Sequence, residues 1–250
     1  MIQSADNPLS PHPVLDEYYA DGSERRRRVD GWFDASARHY DWITNVMSLG
    51  SGRFYRRQAL LRAGLEPGMA LLDVGAGTGV VSLLAQQIVG DEGLVVAHDP
   101  SRGMLEEGRR RGVRLSAQGL GESLPYPDHS FDRISMGYAL RHVADLRPLF
   151  EEFRRVLKPG GKVLILEITR PQGTVGFAVL RFYMRVVIPT LTRLARRSAE
   201  AQELMRYYWD TIETCVPPAT ILAAMHDAAL VDCQRRVELG IFSEYTGIRA

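Results

Sequence analysis

The chain has 250 residues, 45% of them hydrophobic and 24% charged, with a formal net charge of +1. That length accommodates one α/β domain with an insertion and requires no second one, and the balanced charge offers no long-range field to a nucleic-acid partner. Cys215 and Cys233 stand far apart without metal-ligand spacing and the six histidines form no H-x-x-x-H cluster, so no metal is expected and the cysteine usage fits a reducing cytoplasm.

Residues Met1 to Ser23, where Pro8, Pro11 and Pro13 stand among Asn, Ser and Asp, read as a poorly ordered arm (1–23) without chemistry, ahead of a single domain over 24–250. No basic segment followed by an apolar one opens the chain, which argues against secretion. Val29, Trp32 and Phe33 at helical spacing predict a helix over Glu24 to Ser36, and a second follows the turn Leu49-Gly50-Ser51-Gly52, over Arg53 to Ala63. Both precede the first core strand, so 24–66 reads as a helical cap.

The stretch Ala70 to Gly79, ALLDVGAGTG, is the one around which the domain is organised. A short buried strand ends at Asp73-Val74, the chain reverses through Gly75, Gly77 and Gly79, and a helix runs from Val80 to Val89. A dinucleotide fingerprint would place a pyrophosphate on that helix. Here a carboxylate, Asp73, stands two residues before the first glycine, which suits a ligand bearing an ammonium group. The next strand, Leu94 to His98, ends at Asp99, near the offset of about 20 residues at which an acidic side chain takes a ribose hydroxyl pair. Ribose and ammonium without a diphosphate describe S-adenosylmethionine (SAM).

Beyond the loop, a helix over Pro100 to Arg111 puts Met104 under a flat ring, a third strand covers Val113 to Gln118, and Gly119-Leu120-Gly121-Glu122 forms its loop. Leu120 there has only a backbone N–H and an apolar face to offer the adenine. A fourth strand, Arg133 to Met136, delivers Gly137-Tyr138-Ala139-Leu140-Arg141-His142 to the edge where open α/β sheets bind ligands. A helix over Asp145 to Leu157 stops at Lys158-Pro159-Gly160-Gly161, and Lys162 to Ile168 is the fifth strand. Residues 172–212 read as a helical lid, whose segment Gly173 to Arg197 is amphipathic with arginines on one side. Its apolar stretch Thr174 to Leu194 is interrupted by Arg181, Arg185 and Arg193 and is not expected to span a bilayer. A helix over Pro217 to Ala229 and the strand pair Val231 to Arg236 and Phe242 to Ile248 close the chain.

Two segments carry a narrower likeness. Tyr40-Asp41 through Val46-Met47-Ser48-Leu49-Gly50, and Arg155-Val156-Leu157-Lys158-Pro159-Gly160-Gly161 through Leu166-Glu167-Ile168-Thr169, with Gln118-Gly119, Glu122-Ser123-Leu124-Pro125 and Leu140-Arg141 in register between them, resemble the ubiquinone and menaquinone C-methyltransferases among the class I SAM-dependent methyltransferases. The resemblance covers about Asp30 to Gly247. It implies a Rossmann-like fold, a mostly parallel seven-stranded sheet with helices on both faces. The cofactor would be SAM, leaving as S-adenosylhomocysteine, held by Tyr40, Asp73, Gly75, Ala76, Gly77, Gly79, Asp99, Pro100, Met104, Leu120, Gly121 and Met136. Arg141 matches the family position that polarises water or stabilises an oxyanion. Tyr138, Tyr207, Asp210 and Thr211 fall where relatives approach the acceptor.

The chain departs from the family at Gly52 and Tyr55, at Leu120 in place of an acidic residue, and at His142 in place of Asn. His142 could take a proton from a phenol, hydroxyl or amine, so three readings stay open. One is transfer to a quinone-like or phenolic aromatic acceptor, with ring C-methylation as its family form. Another is O- or N-methylation of a phospholipid amine or a small product of secondary metabolism. The last, of another class, is a SAM-binding scaffold without catalysis. The lid also offers a face to a greasy substrate or a bilayer surface, and the protein is read as cytoplasmic, with peripheral membrane contact and a homodimer both open.

Overall fold

The computed structural model describes residues 8–19, 24, 28, 29, 31–34, 52–171, 173–188, 190 and 199–250. Strands β1 (Ala70–Val74), β2 (Leu94–Asp99), β3 (Leu115–Gln118), β4 (Phe131–Gly137), β5 (Leu157–Ile168), β6 (Leu230–Glu238) and β7 (Phe242–Arg249) form one seven-stranded sheet in the order β3-β2-β1-β4-β5-β7-β6. The first five pair in parallel, and β7 inserts antiparallel between β5 and β6.

Both faces are covered, which is why β5 carries the unbroken apolar run Val163-Leu164-Ile165-Leu166. On one face α1 (Gly52–Arg62) and α2 (Val80–Val89) bring Leu60, Leu84 and Ala85 onto Leu71, Leu164 and Leu166. On the other, α4 (Leu146–Val156) and α7 (Pro218–Asp227) bring Phe150, Phe153 and Met225 onto Leu72, Ile134 and Val163. Neighbouring residues of one strand thus serve opposite cores, as the two-residue period of a strand requires. α4 is amphipathic with a buried stripe of Leu146, Leu149, Phe150, Phe153 and Val156, and Asp145 caps it by accepting from the Arg147 N–H at 3.0 Å.

Several boundaries differ from those expected. α3 spans Arg102–Arg110 rather than starting at Pro100, because Ser101 is its cap and accepts from the Met104 N–H. β3 begins at Leu115, not Val113, whose side chain instead packs beside Gly79. β5 begins at Leu157, before the Lys-Pro-Gly-Gly segment expected as a helix stop. Leu157 pairs with Phe131, a register shift follows, and Lys158 bonds Asp132 at 2.9 Å, so the basic residue serves the sheet. The lid opens as α5 (Thr174–Phe182) and continues as a π turn, Tyr183–Val187; α6 (Ala199–Glu213) follows. Among the described residues no helix is long and apolar enough to cross a membrane.

Residues 8–19 correct the expectation of an open arm. His12, Tyr18 and Tyr19 are buried, and the two tyrosines join Val29, Leu180, Met184, Tyr207 and Trp209 in a third core. The prolines that disfavour regular structure do not prevent this, since aromatic burial supplies the free energy that secondary structure does not. Replacing Tyr19 with Ala should therefore cost about 3–5 kcal/mol, read by chemical denaturation; an unchanged midpoint would return these residues to the status of a tail.

Candidate active site

The carboxyl ends of β1, β2 and β4 converge on two cavities. The smaller, about 290 Å³, is lined by Asp99, Pro100, Met104, Leu120, Gly121 and Met136. Asp99 ends β2 and is held in place by two backbone donors, the Gly77 N–H on Oδ2 and the Ser101 N–H on Oδ1, each at 2.8 Å. One carboxylate thereby ties the glycine loop to the start of α3. At Gly77, φ is +56°, a region that favours glycine, and an added Cβ would meet no atom within 4 Å. It would project into the cleft, so the loop is a cradle with room for a ligand against its backbone. Gly75 is glycine for a second reason, because a Cβ would lie 2.3 Å from that of Ala139.

The loop after β3 is supported from below. The Leu120 carbonyl accepts from His98 Nε2 at 3.3 Å, and His98 Nδ1 lies 3.1 Å from the Tyr126 hydroxyl. Burial pushes the His98 pKa down, so the ring is neutral. It donates through one nitrogen and accepts through the other.

The larger cavity, about 580 Å³, takes Ile168, Leu180, Met184, Ile241 and Phe242 as apolar wall and Tyr55, Arg56, Asp73, Tyr138 and Arg141 as polar groups. Asp73 is buried, and both its oxygens accept serine hydroxyls, from Ser82 at 2.6 Å and Ser135 at 2.7 Å. Burial raises its pKa to about 6, against the pull of those two hydrogen bonds. Tyr138 holds φ at +62°, a strained value for a non-glycine residue. The Arg56 guanidinium stands 4.8 Å from the centre of its ring, and burial pushes its phenol up to about 12. Tyr55 is raised further, by burial first and by its neighbours Tyr138 and Glu244 next. Arg141 is an ion-pair member rather than a lone cation, with Nη1 2.9 Å from Glu167 and the side chains 0% and 3% exposed. Burial pushes the Glu167 carboxyl up and Arg141 pulls it back.

The two cavities meet. Gly75, Gly77, Gly137, Tyr138 and Tyr208 line both.

Other expected site residues fall elsewhere. Ala76 lines the larger cavity, and Gly79 lines neither, since its missing Cβ makes room for Val113 Cγ2, 2.3 Å from where that atom would stand. His142, at the end of a 3-10 turn, lines the smaller cavity and not the larger. It stacks on Tyr207 at 5.5 Å and meets the edges of Phe33 and Tyr208. Tyr207, Asp210 and Thr211 line neither cavity. Tyr207 and Thr211 are fully buried, and Asp210 takes the Tyr18 hydroxyl at 2.6 Å and Arg185 at 3.2 Å. The third core claims that face of α6, and the neighbouring Tyr208 reaches the site instead. Tyr40 lies outside the described residues. Tyr55, Arg56, Glu167 and Tyr208 were not singled out as site residues. Glu167 had a usable signal, its place at the carboxyl end of β5.

A model of the ubiE/COQ5 methyltransferase family matches residues 21–249. The chain belongs to this family. Among its relatives, the ubiquinone/menaquinone biosynthesis C-methyltransferase UbiE of Shewanella oneidensis is 38% identical over 184 residues, covering 71% of this chain and 73% of that one. The enzyme of the same name from Hahella chejuensis is 30% identical over 236 residues, covering 91% and 94%. A crystal structure of a SAM-dependent methyltransferase from Aquifex aeolicus is similar with a TM-score of 0.56 at 19% identity, covering 78% of this chain and 89% of that one, and speaks to the fold alone. The family establishes the chain as a SAM-dependent methyltransferase. The residues fit that cofactor, since the open cradle at Gly77 and the Asp99 carboxylate border one cavity.

Proposed function

We propose that this methyltransferase seats the adenosine of SAM in the smaller cavity and methylates a ring carbon of a quinol-type aromatic acceptor in the larger one. The observation that carries the reading is the shared wall of Gly75, Gly77, Gly137, Tyr138 and Tyr208, which lets two ligands touch while their distant ends stay in separate cavities. The apolar wall of the larger one suits a ring with a prenyl tail. The relatives named for ubiquinone and menaquinone biosynthesis support the same acceptor class.

When bound, SAM supplies a methyl group already activated on a sulfonium, so the protein's work is orientation and charge placement. A ring carbon becomes nucleophilic when the neighbouring phenol is ionised. Arg56 is a cation on the cavity wall that favours that anion, and Arg141, its charge balanced by Glu167, presents guanidinium to the same wall. The phenols of Tyr55 and Tyr138, both raised, stay protonated at neutral pH and serve as donors. His142 borders the cofactor side, which favours carbon over a base-requiring oxygen or nitrogen acceptor. The test is incubation with SAM and a short-chain quinol lacking its ring methyl, followed by mass spectrometry. A product heavier by one methylene on ring carbon is expected; methylation only of phenolic oxygen or of amines would overturn the reading.

Asp73 gives SAM affinity a pH dependence. Its pKa stands near 6 in the free protein, and the ammonium group of a bound SAM favours the ionised form. Binding therefore releases a proton below that value. Affinity should be full near pH 7, where carboxylate and ammonium are both charged, and should fall by up to about tenfold per unit on acidification below about pH 6. Calorimetric titrations across this range should show the dependence, and Asp73→Asn should remove it.

A further inference from the structure

The lid helix has two apolar faces. Leu180, Met184 and Ile188 recur at helical spacing and are buried, the first two against the larger cavity. Val175, Val179, Phe182 and Val186 form a second stripe on the opposite side and are between 47% and 76% exposed. An apolar stripe on the side of a helix away from the core marks a surface for a further partner, and this one is exposed. Phe54 and Leu239, 71% and 84% exposed, belong to the cavity lining and so mark its mouth.

The same elements are basic. Neither 52–62 nor 173–188 contains an Asp or Glu, although the whole chain is almost neutral at +1. Arg53, Arg57 and Arg181 are exposed and make no ion pair among the described residues. Exposed apolar side chains and unpaired arginines on two elements that line one cavity match the interface of a bilayer, with acyl chains beneath and anionic headgroups above.

We infer that this face docks on an anionic bilayer surface, with the outer stripe, Phe54 and Leu239 set into the headgroup boundary so that the larger cavity opens toward lipid. That the docking delivers the acceptor rests on the proposed quinol chemistry; the docking itself does not. A prenylated quinol is held in the bilayer, and a mouth at the surface receives it without passage through water.

The test is flotation of the full chain with quinone-free vesicles, of phosphatidylcholine alone and of phosphatidylcholine with phosphatidylglycerol. Binding is expected on the anionic vesicles and should be weak on the neutral ones. Arg53→Gln with Arg57→Gln should weaken it about tenfold to thirtyfold, and Val179→Asp with Phe182→Asp should abolish it. These four residues line neither cavity, so both variants should keep the wild-type rate on a water-soluble quinol. No preference for anionic vesicles, or binding untouched by the aspartates, would overturn the proposal. So would a lipid-free dimer that the aspartates convert to monomer in sedimentation, since the stripe would then belong to a second copy. Absence of docking with soluble-quinol methylation intact would sink the membrane face alone. Docking without methylation would sink the acceptor reading alone.

Discussion

Glu167→Ala should destabilise the protein by about 3–5 kcal/mol and cut methyl transfer steeply. Its partner Arg141 is fully buried, with its guanidinium against the Tyr208 ring and 2.9 Å from the Glu167 carboxylate. Removing the carboxylate strands a cation where water cannot solvate it. Arg141→Met should be comparably damaging for the mirror-image reason. The informative variant is the pair Arg141→Met with Glu167→Leu, which replaces two charges with apolar bulk and should recover most of the stability. If methyl transfer stays absent in that refolded pair, Arg141 acts in the reaction rather than only in the fold. Full activity in the pair would remove Arg141 from the chemistry, and a single-variant cost below about 1 kcal/mol would show the pair to be no better than a surface one.

Asp99→Ala should weaken SAM binding by about two orders of magnitude or more. Its carboxylate holds the glycine loop to the start of α3 through two backbone N–H groups, and on the proposed seating of the nucleoside it also accepts from ribose hydroxyls, each such charge-assisted bond being worth about 1.5–3 kcal/mol. Asp99→Asn keeps an oxygen for one donor and turns an N–H₂ toward the other, so an intermediate loss is expected. Calorimetric titration with SAM and S-adenosylhomocysteine measures both. Unchanged affinity in Asp99→Ala would mean that the smaller cavity is not where the nucleoside sits.

Much of the fold was legible because it is locally encoded. The run Ala70 to Val74 is apolar but for Asp73 and buried on both faces, the glycines follow where φ must turn positive, and Val80–Val89 resumes with a helical period. Each step is decided within a few residues, so β1, the loop and α2 could be placed to the residue. The β5 start was not legible. Proline and glycines read locally as a stop, and only the pairing of Leu157 with Phe131 makes the segment a strand. The arm misled for a similar reason, because local propensity carries no information about the aromatic core that Tyr18 and Tyr19 join.

The site divides along the same line. Asp99, Met104, Leu120 and Met136 could be named in advance because they end strands or follow them, and the fold sends every parallel strand's carboxyl end to one edge. Tyr207, Asp210 and Thr211 could not be judged that way. They ride on one helix, and which of its faces meets the cavity depends on how α6 rotates against the third core. By itself, then, the sequence determined the sheet, the glycine cradle and the two acidic strand ends, since backbone geometry and apolar period are properties of neighbouring residues. The tertiary structure alone decided that Arg141 meets Glu167 across 26 positions of chain, that Tyr138 and Tyr208 line both cavities where they meet, and that one side of the lid helix is exposed. Those are contacts between distant segments, which exist only after β4, β5 and the lid have packed.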